Sequence, residues 1–174
     1  MFPMRRLDIY LNDHLAGAML GVELSRRVAA ANRGTELGAF LQGLHREIVE
    51  DRQTLQAVMR SFGVDASPLK PAAAWLLEKA GRLKLNGQFR GHSPLSRLVE
   101  LEALESGVSG KRSLWQALDS TFGDDRRLER FDFGALIARA DKQLNGLLEH
   151  RLAIAPEALR EESAMHVAAG SSPS

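Results

Sequence analysis

Along four long stretches of this chain, apolar residues recur at steps of three and four, the spacing of helices that each bury one face. The clearest stripe reads Leu37, Leu41, Leu44, Ile48, Asp51, Leu55, Val58 and Phe62, with a carboxylate at its middle. It predicts a helix from a Thr35 cap to Ser61 or Phe62, closed by Gly63 in the left-handed conformation with Val64 as its apolar contact. Ahead of it, Leu7, Leu11, Leu15, Ala18 and Val22 form one apolar line, and Tyr10, His14, Gly17, Gly21, Leu24 and Val28 a neighbouring one. Together they predict a helix over residues 5–31. The small residues Ala16, Gly17, Ala18 and Gly21 suit close approach of a partner helix. Asn32-Arg33-Gly34 is a stop signal, and so short a turn folds the second helix back antiparallel.

Ser93-Pro94 pairs a capping residue with a proline at the first helical position and opens a third helix. That helix carries Leu95, Leu98, Val99, Leu101, Leu104 and Val108. Gly107 and Gly110 weaken it, so residues 113–122, with Trp115 and Leu118, either continue it through a bend or form a separate segment. Gly123-Asp124-Asp125 signals a turn and a cap before a fourth helix running to about Ala155. Phe133, Leu136, Ile137, Ala140, Leu144, Leu147, Leu148 and Leu152 are expected to face inward, and Pro156 to interrupt the helix ahead of a short helical piece.

Residues 64–92 join the second and third helices, with a short helix opened by Pro71 and a loop at Asn86-Gly87 and Gly91. Two short turns flanking one long link let the third helix run parallel to the second, the single-crossover topology of four-helix bundles. A plain up-down bundle with an ornamented loop is the alternative. No alternating run predicts a strand, and no repeat is visible. The expected organisation is one all-α domain over residues 1–160 and a flexible tail over 161–174.

Composition narrows the function classes. At 174 residues, with 44% hydrophobic and 26% charged residues, the chain is expected to be one globular domain with a sizeable core. A net charge of +1 argues for neither nucleic acid nor a membrane surface as partner. Lacking cysteine, the chain has no disulfides, thiolate metal sites or cysteine nucleophile. The N-terminal MFPMRRLDIYLND has no apolar run of a secretory signal, and no stretch approaches the roughly 20 apolar residues of a membrane span. A cytoplasmic location is expected. No Gly-x-Ser-x-Gly elbow or phosphate-binding glycine loop is present, and His92 and His166 stand alone.

Ionisable residues on the helical stripes carry the remaining chemistry. Asp51 has counterparts in His14, Glu47, Glu102 or Glu105, and Asp141, a candidate buried polar cluster. Such groups are costly in a core unless paired, hydrogen-bonded or bound to metal. The segments YLNDHLAGAMLGVEL, LHREIVEDRQTLQAVM, LVELEALESGV and LIARADKQLNGLLEHRL resemble the four bundle helices of the ferritin-like superfamily. In its metal-bearing members, two helices each supply a Glu and two a Glu-x-x-His, all aimed inward. This chain has no Glu-x-x-His: Glu149 and His150 are adjacent and point about 100° apart, and His45 precedes Glu47 and Glu50 at the wrong offsets.

The resemblance therefore implies a branch without these motifs, acting as a metal-free structural or protein-binding module, with homo-oligomers through the exposed helix sides. Arg46, Arg97, Arg139 and Arg151 are available to neutralise the acids as a polar layer. The competing reading is an Fe or Mn carboxylate-bridged oxidoreductase or metal-binding protein using His14, Asp51, Glu102 or Glu105, and Asp141. Lys70, Lys79, Arg82, Lys84 and Arg90, interleaved with Trp75 and Phe89, make the long link basic. Trp75, Leu76, Leu83 and Leu85 are more simply a packing face, so nucleic acid is not an expected partner.

Overall fold

A computed structural model describes residues 5–66 and 93–160. Four long helices account for most of them: α1 (Arg5–Ala31), α2 (Glu36–Phe62), α3 (Pro94–Phe122) and α4 (Phe133–Leu159), with a 3-10 turn at Arg126–Leu128. Among the described residues there is no strand and no helix long and apolar enough to cross a membrane. The short helix expected after Pro71, the basic residues Lys70, Lys79, Arg82, Lys84 and Arg90, and the tail 161–174 lie outside the described residues.

Local chemistry accounts for the helix ends. Thr35 Oγ1 accepts from Gly38 N at 3.0 Å and Ser93 Oγ from Ser96 N at 3.1 Å, each satisfying a donor the first turn leaves open. A side chain at Gly38 would run into the Asn32 carbonyl, so this hairpin corner needs a glycine to close. Gly63, at φ 68°, ends α2 in the left-handed conformation, and Val64 N reaches back to Met59 O at 2.9 Å.

In the second half, one open alternative is decided and two expectations, the Asp125 cap and the stop at Pro156, are corrected. Of the two alternatives for residues 113–122 the separate segment is ruled out: α3 continues through Gly107 and Gly110 as one helix from Pro94 to Phe122. Asp125 caps only the 3-10 turn, whose Leu128 is buried, and Asp132 caps α4 by accepting from Ala135 N at 2.8 Å. Pro156 lies inside the last turns of α4 without ending it.

Asp125 also accepts from Arg127 Nε at 3.0 Å, Arg127 Nη2 at 2.6 Å and the Arg127 backbone N–H at 2.9 Å. The guanidinium and then the backbone donor hold its carboxyl down, to about 2 from an ordinary 3.8. A carboxyl depressed in the fold stabilises it above pH 3.8, and that contribution fades as the pH falls toward 2. An NMR titration should place Asp125 near 2, with Arg127→Ala moving it back toward 3.8. An unmoved midpoint in that variant would contradict the assignment.

Two apolar clusters fill the interior. One joins Leu11 and Leu15 of α1, Leu55, Val58 and Phe62 of α2, Leu114, Trp115 and Leu118 of α3, and Phe133 and Leu136 of α4. The other joins Val28, then Leu41, Leu44 and Ile48, then Leu101, Leu104 and Val108, and finally Ala140 and Leu147. Going from the first cluster to the second, residue numbers rise in α1 and α4 and fall in α2 and α3. Helices α2 and α3 are therefore parallel to each other and antiparallel to the other two. Between the clusters, on three of the four helices, the seam turns polar.

A charged layer and a glycine-walled cleft as candidate sites

Asp51 follows Ile48 and precedes Leu55 on the seam of α2, and only 3% of it is exposed. Lys111 sits at the same level of α3, between Val108 and Leu114, and Gln143 at that of α4, between Ala140 and Leu147. Lys111 Nζ donates to Asp51 Oδ2 and to Gln143 Oε1, both at 2.5 Å. Arg139, one turn before Gln143, donates to Asp51 Oδ1 and, at 2.9 Å, to Glu50 Oε2. Gln143 Nε2 completes the chain by donating to Glu47 Oε2 at 2.8 Å. Each Asp51 oxygen thus faces a cation.

Burial is the larger influence on Lys111 and lowers its pKa below the ordinary 10.5, while Asp51 pulls the other way. The layer has three carboxylates, Glu47, Glu50 and Asp51, against two cations. Charged hydrogen bonds of this kind locate one helix against another more than they add net stability.

The other acids expected in the core lie elsewhere. Glu102 is exposed, Glu105 pairs with Arg151 at 2.7 Å, and Asp141 pairs with Arg112 at 2.6 Å with 45% of its side chain exposed. His14 is half-buried on α1, edge-on to Tyr10 at 4.6 Å between ring centres. Burial lowers its pKa and Asp13 opposes the shift. Of the six expected residues, the structure brings Glu47 and Asp51 into one network, and His14 lines the same cleft as Asp51 without joining that network.

A metal fits these donors poorly. Iron or manganese would need several free carboxylate oxygens and a histidine turned to one point. Here both Asp51 oxygens, Glu105 and Asp141 are committed to cations, and no group of three His, Asp or Glu among the described residues is disposed to hold an ion. Nor does the buried Ser25 offer a nucleophile. Its Oγ donates to Val22 O at 3.1 Å and lies 2.9 Å from His45 Nδ1, with no surface left for a substrate.

Lys111 and Gln143 were legible but missed. Leu104, Val108, Lys111, Trp115 and Leu118 follow the same step of four and three as the α2 seam, and so do Leu136, Ala140, Gln143 and Leu147. Expecting a bend or a new segment after Gly107 and Gly110 hid the first. The second was hidden by assigning Leu148, which is exposed, to the core beside Leu144, which does pack against it.

The second feature is a cleft of about 210 Å³ between α1 and α3, floored by α2. Gly17 and Gly21 line it from one side, Gly107 and Gly110 from the other, with Ile48, Leu55 and Leu104 deeper in. Asp51, Lys111 and the wholly buried Trp115 form part of its wall. Comparison with protein-family models, curated proteins and solved structures returns no match.

Proposed function

We propose that this chain is a metal-free bundle of ferritin-like topology that serves as a structural or protein-binding module. The observation carrying the proposal is that Lys111 and Arg139 take both oxygens of Asp51. Where metal-bearing bundles gather carboxylates around ions, this one neutralises its central carboxylate with its own cations. Parallel α2 and α3 support the single-crossover topology, since the end of one and the start of the other lie at opposite ends of the helix array.

A protein-binding role is supported by apolar surface on the α3–α4 flank. Leu148, Leu152 and Leu159 are 39%, 56% and 66% exposed and recur at steps of four and seven on α4. The Arg112–Asp141 and Arg151–Glu105 pairs fix the α3–α4 register, and that register sets Leu95, also exposed, level with Leu159. An exposed leucine stripe rimmed by charge is a recognition surface in a folded protein. A second copy of the chain is its simplest partner, because a two-fold axis pairs one such stripe with itself.

Two measurements test the reading. Sedimentation at about 100 µM should show a dimer that Leu152→Glu with Leu159→Glu converts to a monomer of unchanged helicity. A monomer without those changes would remove self-association. Protein made with added Fe and Mn should hold less than about a tenth of an equivalent of either, and stoichiometric metal would overturn the metal-free assignment.

A further inference from the structure

We propose that the cleft between α1 and α3 is a binding site for a small neutral molecule, one ring in size, carrying a single acceptor oxygen. Its walls are glycines at four helix-interior positions, Gly17, Gly21, Gly107 and Gly110. Glycine within a helix normally allows two backbones to touch, and that use is absent here. A Cβ at Gly17, Gly107 or Gly110 would meet no atom within 4 Å, and one at Gly21 would make only an ordinary 3.8 Å contact with Ile48. Each glycine weakens its helix, and together they leave a hollow where alanine or leucine would fill the interface.

The polar groups at the cleft point the same way. Trp115 is wholly buried in the wall, and its Nε1 has no acceptor among the described residues. An indole N–H that deep ordinarily finds a partner. Lys111 has three N–H donors and commits two, to Asp51 and Gln143. An acceptor oxygen on the ligand would satisfy donors that the protein leaves open. Asp13 and Asp51 line the cleft against Arg52 and Lys111, a balanced set of charges, and a neutral ketone, ester or ether oxygen brings no charge that would need a partner there.

Size narrows the class further. An apolar cavity of about 150 Å³ accepts benzene, so 210 Å³ accommodates a ring with two or three further heavy atoms. The opening is already at the surface, since Gly17 and Gly107 are both exposed.

Acetophenone and ethylbenzene are matched probes of this site, because they share a ring and differ by the oxygen. Titrated into the full chain, acetophenone should bind saturably with Kd about 0.1–1 mM and ethylbenzene at least about fivefold more weakly. Gly107→Leu should reduce acetophenone affinity by at least about tenfold while the melting temperature holds or rises, because the new side chain fills space and favours helix. Should Gly107→Leu fail to fold, Gly17→Leu on the facing wall gives the same readout. Absence of saturable acetophenone binding, or undiminished binding by the filled variant, overturns the site. Equal binding of the two probes overturns the role given to the oxygen.

Discussion

Asp51→Asn is expected to destabilise the protein by roughly 3–5 kcal/mol, the cost of stranding buried charges. For a chain of this size that lowers the melting temperature by about 6–20 °C. Among the described residues, Asp51 is the one carboxylate hydrogen-bonded to both Lys111 and Arg139, and the other hydrogen bond of Lys111 goes to the neutral Gln143. An asparagine keeps an acceptor but not the charge. The loss should be the same with and without a chelator, because the partners of Asp51 are side chains.

The variant should also acquire a characteristic pH response. Lys111 is already held below its ordinary value of 10.5, chiefly by burial, and Asp51 opposes the shift most, with Glu47 a smaller influence in the same direction. With that carboxylate neutral, the folded state releases the Lys111 proton more readily than the unfolded chain does. Stability of Asp51→Asn should therefore rise with pH through the window below 10.5. Replacing the whole unit, Asp51→Leu with Lys111→Met and Arg139→Met, should recover most of the loss, since an apolar layer needs no compensation. Thermal melts across pH decide the matter. A single variant as stable as the original protein would show that the charged layer does not hold the helices together.

The second large effect belongs to the apolar half of the core. Trp115→Ala should cost about 3–5 kcal/mol by leaving a void among Leu11, Leu55, Leu118 and Phe133, where Trp115 is entirely buried. Phe133 lies 6.3 Å away between ring centres, so aromatic contact is lost as well. Trp115→Phe keeps most of the volume and should cost clearly less. Unlike the Asp51 change, this loss should be flat between pH 5 and pH 9 to within about 1 kcal/mol, because no charge changes partner. Chemical unfolding monitored by circular dichroism at both pH values checks it. Equal losses for Ala and Phe would mean that volume is not what Trp115 contributes.

Much of this could be read before any coordinates. Period and capping residues placed the ends of α1 and α2 and the start of α3, because a hydroxyl before a helix and a left-handed glycine after it act over only a few residues. The burial of Asp51 followed from its place in an unbroken apolar stripe. Errors collected where a local signal met a larger force. Gly107 and Gly110 lower helix propensity, but Leu104, Val108, Lys111 and Trp115 on the same seam are held by three neighbouring helices, and packing carries the helix through. Leu148 and Leu152 looked like core because they are leucines near the stripe. The α4 face that turns inward is set by Ala140, Gln143 and Leu147, which leaves those leucines on the flank.

Partners across the bundle were the part that sequence did not contain. His14, Glu102, Glu105 and Asp141 are each compatible with an inward face when their helix is considered alone. Whether an acid meets a metal, an arginine or water depends on the rotation and offset of its helix against three others, quantities that no single periodicity encodes. The sequence by itself determined four amphipathic helices, their order, most of their ends and one carboxylate that had to be neutralised. Only the tertiary structure decided that Lys111 and Arg139 neutralise it and that facing glycines open a cleft, because both depend on distances between side chains far apart along the chain.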